Sequence, residues 1–172
     1  MTERKRRGWF RWWFVPLLII LAFAIAIAAG GLNTTKKAAT PKPGIAVVGE
    51  RVEKGGIALT VLSVSTTKDI KGLLVPILDH FLVIEVLIET TTRDSAPYNF
   101  LYFKLKDDTG AETPVAMTAP APNLSSGDLV QGDKVRGNIA FDVTAAAQGF
   151  VLTYEPLVIM GGYEPIRVDL GK

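Results

Sequence analysis

From Trp12 to Thr35 the chain carries no charged residue, and its apolar centre, Phe14 to Ala29, reads FVPLLIILAFAIAIAA. As a helix, Trp12 to Leu32 would be about 31 Å long, which matches the hydrocarbon core of a bilayer. No helical face of this segment is polar, which argues against a helix buried in a soluble fold. Five bases (Arg4, Lys5, Arg6, Arg7, Arg11) and one acid (Glu3) precede it. Basic flanks stay cytoplasmic, so residues 1–11 are expected inside and everything after the span outside. Lys36, Lys37 and Lys42 weaken that bias without reversing it. Trp9, Phe10, Trp12, Trp13 and Phe14 form an aromatic belt suited to the inner headgroup layer. Pro16 falls in the first turn, where a missing N–H is tolerated.

Ala24, Ala26, Ala28, Ala29 and Gly30 also offer A-x-A-like cleavage sites, so a secreted product is the alternative to an uncleaved anchor. Spanning length and the aromatic belt favour the anchor. A lipid-modified lipoprotein is excluded, because the chain has no cysteine.

The net charge of +2 is the sum of unlike parts. The first 35 residues carry +4 and the remainder −2. The basic character therefore belongs to the membrane-proximal tail, where it serves topology and attraction to anionic lipid. A nucleic-acid partner, which wants a basic face on the folded domain, is not indicated. Without cysteine there is no disulfide framework, thiolate nucleophile or cysteine metal site. The expected organisation is a tail (1–11), a transmembrane signal anchor (12–32), a polar linker rich in Lys and Pro (33–44) and one extracytoplasmic domain (45–172) with enough residues for a single core.

That domain reads as strands. Ile57, Leu59 and Val61 alternate with smaller or polar residues after a Gly55-Gly56 turn. In Phe81–Thr92 (FLVIEVLIETTT), Leu82, Ile84, Val86 and Ile88 share one face, and Glu85, Glu89 and Thr91 share the other with Phe81, Val83 and Leu87. Tyr98 to Lys106 sets Phe103 and Leu105 before an Asp107-Asp-Thr-Gly110 turn. Leu129 to Val143 turns at Gly132-Asp133, with Val135, Ile139, Phe141 and Val143 as core positions. Phe150–Tyr154 and Ile166–Leu170 close the chain. Short strands separated by Gly, Pro and Asp turns predict an all-β antiparallel β-sandwich behind one N-terminal helix.

One ordered set of residues is more specific. Val48-Gly-Glu-Arg-Val52, the Gly-Gly pair, and Phe103-Lys-Leu-Lys-Asp107 with Gly110 come first. Leu124-x-x-Gly127-x-Leu129-x-x-Gly132-Asp-Lys134-x-x-Gly137-x-Ile139-Ala-Phe141-Asp-Val143 and Phe150-x-Leu152-x-Tyr154-x-Pro156 follow. From about Ile45 to Leu170 the chain resembles a bacterial domain-of-unknown-function family in the immunoprotective extracellular, immunoglobulin-like superfamily. The resemblance implies an exported or membrane-anchored β-sandwich and no particular reaction. Two departures stand out. Glu89–Pro97 has Thr where such domains place Asn in a turn, a role Thr and Asp94 side-chain oxygens also fill. Lys71–His80 (KGLLVPILDH) carries five large aliphatics where a polar loop is usual.

That loop offers the candidate contact residues Leu73, Leu74 and Ile77, because exposed apolar patches mark partner or membrane contacts. The competing reading folds Leu73, Val75 and Ile77 down over one end of the core, with Pro76 permitting an edge strand. His80, the single histidine, lies beside Asp79, but sequence neighbours on a strand face opposite ways. No G-x-S-x-G elbow occurs. Asp107-Asp108-Thr-Gly110 lacks the acid spacing of an EF-type loop and reads as a hairpin turn. Gly161-Gly162 reads as a turn without the Lys of a phosphate loop. Met117–Pro122 is an extended stretch, either a groove wall or a connector. No catalytic, cofactor-binding or metal-ligating residue and no small-molecule substrate is indicated. The expected function is a membrane-anchored, extracytoplasmic, non-enzymatic module for an unknown protein or envelope component. The alternatives are its secreted form, and an exported hydrolase or metal-binding protein.

Overall fold

Alternating apolar and polar side chains give strands throughout the computed structural model, which describes residues 44–70, 75–91, 94–156 and 164–172. The tail, the anchor and all but the last residue of the linker lie outside the described residues. So do Leu73, Leu74 and the Gly161-Gly162 turn. Among the described residues no helix is long and apolar enough to cross a membrane.

The strands are β1 (Ala46–Val47), β2 (Arg51–Lys54), β3 (Ile57–Thr67), β4 (His80–Thr90), β5 (Ser95–Asn99), β6 (Phe103–Lys106), β7 (Glu112–Pro114), β8 (Ser126–Val130), β9 (Lys134–Val143), β10 (Val151–Tyr154) and β11 (Ile166–Asp169). They form a five-stranded sheet in the order β1-β11-β10-β6-β7, a four-stranded sheet β2-β3-β4-β9 and a β5-β8 ribbon. The pairings are antiparallel apart from β1 beside β11, which is parallel.

The sandwich core lies where the inner faces meet. Leu82, Ile84, Val86 and Ile88 supply one side of it from β4, as their shared period predicts. Phe103, Leu105, Leu152, Tyr154, Ile166 and Val168 supply the other. The Phe103 and Tyr154 rings stack at 4.7 Å between centroids. Burying a side chain of this size contributes roughly 1.5–3 kcal/mol, so a dozen of them hold a domain that has no disulfide.

Two sequence expectations change. Tyr98–Lys106 is not one strand: a 3-10 turn at Phe100–Tyr102 divides it, and the Asn99 side chain accepts from Leu101 N at 2.9 Å. The halves enter different sheets, β5 in the ribbon and β6 in the five-stranded sheet. The second change concerns Phe81 and Val83 on the outer face of β4. They are buried with Ile70 and Ala140 in a small second cluster, against which Ala116 and Ala119 pack.

The cover over that cluster explains part of the glycine pattern. Residues 115–124 arch along the open edge of β9. Ala116 N donates to Ala140 O at 2.7 Å, Asn138 N to Pro122 O at 2.7 Å, and Leu124 N to Asn138 O at 2.9 Å. The Leu124 backbone then crosses so close to Gly137 that a Cβ there would lie 2.7 Å from Leu124 Cα. Met117–Pro122 is thus a connector that covers a sheet edge.

Candidate functional site

The β3–β4 connection carries the exposed aliphatics. Val75 is 77% exposed, Ile77 93% and Leu78 52%. The fold-down reading therefore fails for Val75 and Ile77. The backbone at Ile77 and Leu78 is held in place by hydrogen bonds. The Asp142 carboxylate on β9 accepts from Ile77 N at 2.6 Å and from Leu78 N at 3.2 Å. Asp79 N donates to Val143 O at 3.3 Å, and Asp79 Oδ2 accepts from Ala145 N at 2.8 Å. Two carboxylates thus fix the backbone of the loop to the end of β9. Val75 and Ile77 stand largely exposed, and Leu78 about half so. Of the three candidates, Ile77 is placed on this crest; Leu73 and Leu74 lie outside the described residues.

The acids beside His80 and on β4 are engaged by other groups. Asp79, the neighbour that would orient His80, has its carboxylate engaged by Ala145 N. His80 pairs with Val143 at the start of β4, beside a shallow concavity lined by Thr66, Thr67, Lys68 and Ala145. The β4 glutamates are ion-paired. Glu85 accepts from Arg136 at 2.7 and 2.8 Å, and Glu89 from Arg51 at 3.0 Å. Glu53 receives Thr91 Oγ1 at 2.7 Å and Arg51 at 3.0 Å, and these bonds, Thr91 foremost, hold its carboxyl below the usual range. No cluster of three metal-ligating side chains occurs among the described residues.

Asp107 does what its turn predicts. Its Oδ1 accepts from Thr109 Oγ1 at 2.6 Å, Thr109 N at 3.0 Å and Ala111 N at 2.9 Å. The Thr109 hydroxyl first, then the backbone N–H groups, lower its pKa. Gly110 takes φ +86°, a left-handed value suited to glycine. The β6–β7 hairpin thus accounts for Asp107.

Sequence reasoning missed Asp142. In the strand pattern it is an ordinary outward polar residue between Phe141 and Val143. Its role depends on a contact 65 residues away, for which no local signal exists.

The architecture is shared with solved structures. The yjhA protein of Bacillus subtilis matches with a TM-score of 0.58 at 24% identity, over 73% of this chain and 99% of that one. A candidate lipoprotein of the same organism, ycdA, matches with a TM-score of 0.57 at 18% identity, over 69% of this chain and 38% of that one. The secreted protein MPT63 of Mycobacterium tuberculosis matches with a TM-score of 0.55 at 17% identity, over 78% of this chain and 100% of that one. At these identities the likeness is one of fold. A comparison with curated proteins finds no match. Residues 46–165 match a domain of unknown function, DUF4352, and over that span, most of its length, the chain belongs to this family.

Proposed function

We propose that this protein is a membrane-anchored, extracytoplasmic, non-enzymatic interaction module that meets a protein or envelope component through the crest of its β3–β4 loop. The observation that carries the reading is the exposure of Val75, Ile77 and Leu78 on a backbone that Asp142 holds at Ile77 and Leu78. Exposed aliphatics cost solubility, and a backbone pinned to present them suits docking more than core closure. The location rests on the uncharged run from Trp12 to Leu32 and its basic flank. The secreted MPT63 and the candidate lipoprotein ycdA support a place outside the cytoplasm. The small residues from Ala24 to Gly30 keep a cleaved, secreted form as the second reading.

The test is affinity capture of the full chain from its native membrane, compared with a variant in which Leu73, Leu74 and Ile77 are all changed to Ser. The expected result is loss of a stoichiometric partner with an unchanged melting curve. Equal capture by both chains would remove the loop from the binding surface. A mature N-terminus beginning near Ala29 would replace the anchor with the secreted form.

A further inference from the structure

The four-stranded sheet has an edge that nothing among the described residues covers. β2 pairs with β3 only from Ile57 to Thr60, and Gly49 N donates to Val61 O at 2.8 Å just beyond. From Leu62 to Thr67, β3 has β4 on one side alone. The phase of the ladder shows which groups point outward. Thr91 N donates to Gly56 O, so even-numbered residues of β3 first bond toward β4. The bulge between Val61 and Ser63 inserts one residue and inverts this alternation. Beyond it Ser63, Ser65 and Thr67 bond toward Glu85, Val83 and Phe81, and Val64 and Thr66 direct their N–H and C=O groups past the edge.

The other edges of the two larger sheets are defended. β7 ends in Pro114, β2 carries Arg51, Glu53 and Lys54, β1 is two residues long, and the arch at 115–124 follows β9. Leu62–Thr67 (LSVSTT) has none of these devices beyond the bulge at its start. It holds no charge and no proline. Ile77 and Leu78, further along the connection that leaves Thr67, are tied to Asp142 on β9, on the far side of β4 from this edge.

We infer that this edge pairs with the same edge of a second copy of the chain, antiparallel about a two-fold axis at Ser65. Such an axis, perpendicular to the sheet, leaves both core faces on the same side of the joined sheet. Val64 of each copy then exchanges both backbone bonds with Thr66 of the other. Ser63 stands opposite Thr67, and Ser65 opposite itself in a pair without hydrogen bonds. An uncharged strand is self-complementary in this arrangement, because no like charges meet, and hydroxyl side chains across the junction can bond one another. Four backbone bonds make a small interface, suited to chains already concentrated at one membrane.

The chain has no cysteine, so Ser65→Cys introduces a single thiol on an exposed side chain. Opposed residues of a non-hydrogen-bonded pair have Cα atoms about 4.5 Å apart, within the span of a disulfide. The full chain carrying Ser65→Cys, oxidised in its membrane, is expected to form a covalent dimer severalfold more abundant than does exposed Ser125→Cys. Thr66→Pro, which removes an outward donor, should lower that yield. Thr66→Lys keeps the donor and adds a charge to the edge; it should do the same, which covers the case of a proline that unfolds the strand. Three results would each overturn the inference: a yield equal to that of Ser125→Cys, a yield that both Thr66 variants leave unchanged, or an adduct with a different protein in place of the dimer.

Discussion

Gly137 and Gly127 both belong to the repeated glycine pattern, yet they are required to different degrees. A Cβ at Gly137 meets Leu124 Cα and N at 2.7 Å, which are backbone atoms inside a hydrogen-bonded arch. A Cβ at Gly127 meets the Tyr98 ring, with Oη at 2.8 Å, and a half-buried ring can swing aside. Gly137→Ala is therefore expected to destabilise by roughly 1–3 kcal/mol, as overpacking does, and Gly127→Ala by less. Denaturant unfolding followed by dichroism ranks the two; equal losses would show that Tyr98 is as fixed as the arch. Asp107 gives a second residue-level outcome. Its folded pKa is lowered, so its stabilisation is present at neutral pH and is lost as pH falls through the folded value. Asp107→Asn keeps an acceptor oxygen but no charge. The melting temperatures of wild type and variant should differ at pH 7 and converge in acid. A constant gap across that range would mean that the charge is irrelevant to the turn.

Among the elements, the loop 75–78 depends on Asp142. Asp142→Ala removes the acceptor for Ile77 N and Leu78 N, and hydrogen exchange at these two amides should accelerate while β4 stays protected. Unchanged exchange would show that another contact holds the crest. The strands themselves were legible because a two-residue period is a local property. The core face of β4 and the β6–β7 turn both follow from it. Burial of Phe81 and Val83 was not legible. Their face is outward by period, and what covers it is a connector 33 residues or more downstream. The division of Tyr98–Lys106 was likewise hidden, because YNFLYFKLK has the composition of a continuous strand and only the Asn99 cap marks the break. At the candidate site the sequence showed the aliphatics of the loop but could not decide between exposure and burial. That choice turns on Asp142, which only the folded chain brings to Ile77.

For the whole molecule, the buried clusters draw on the described strands and use no disulfide. A fragment beginning at Gly44 should accordingly be soluble and give a β-type dichroism spectrum with little helix. Trp9, Trp12 and Trp13 are absent from it, so its unfolding is read by dichroism or tyrosine. A strongly helical spectrum would contradict the sandwich.

The parallel pairing of β1 with β11 carries one more consequence. Ala46 lies beside Val168, and Val47 beside Asp169, so the first strand of the domain waits for the last. β11 also separates β1 from β10, and without it the five-stranded sheet loses one flank. Synthesis delivers residues from the N-terminus, and contacts between distant positions form slowly. The five-stranded sheet therefore cannot be completed while Ile166–Asp169 is still inside the ribosome. A chain cut before Ile166 should be left with an unfinished sheet, a substrate for the cell's proteases.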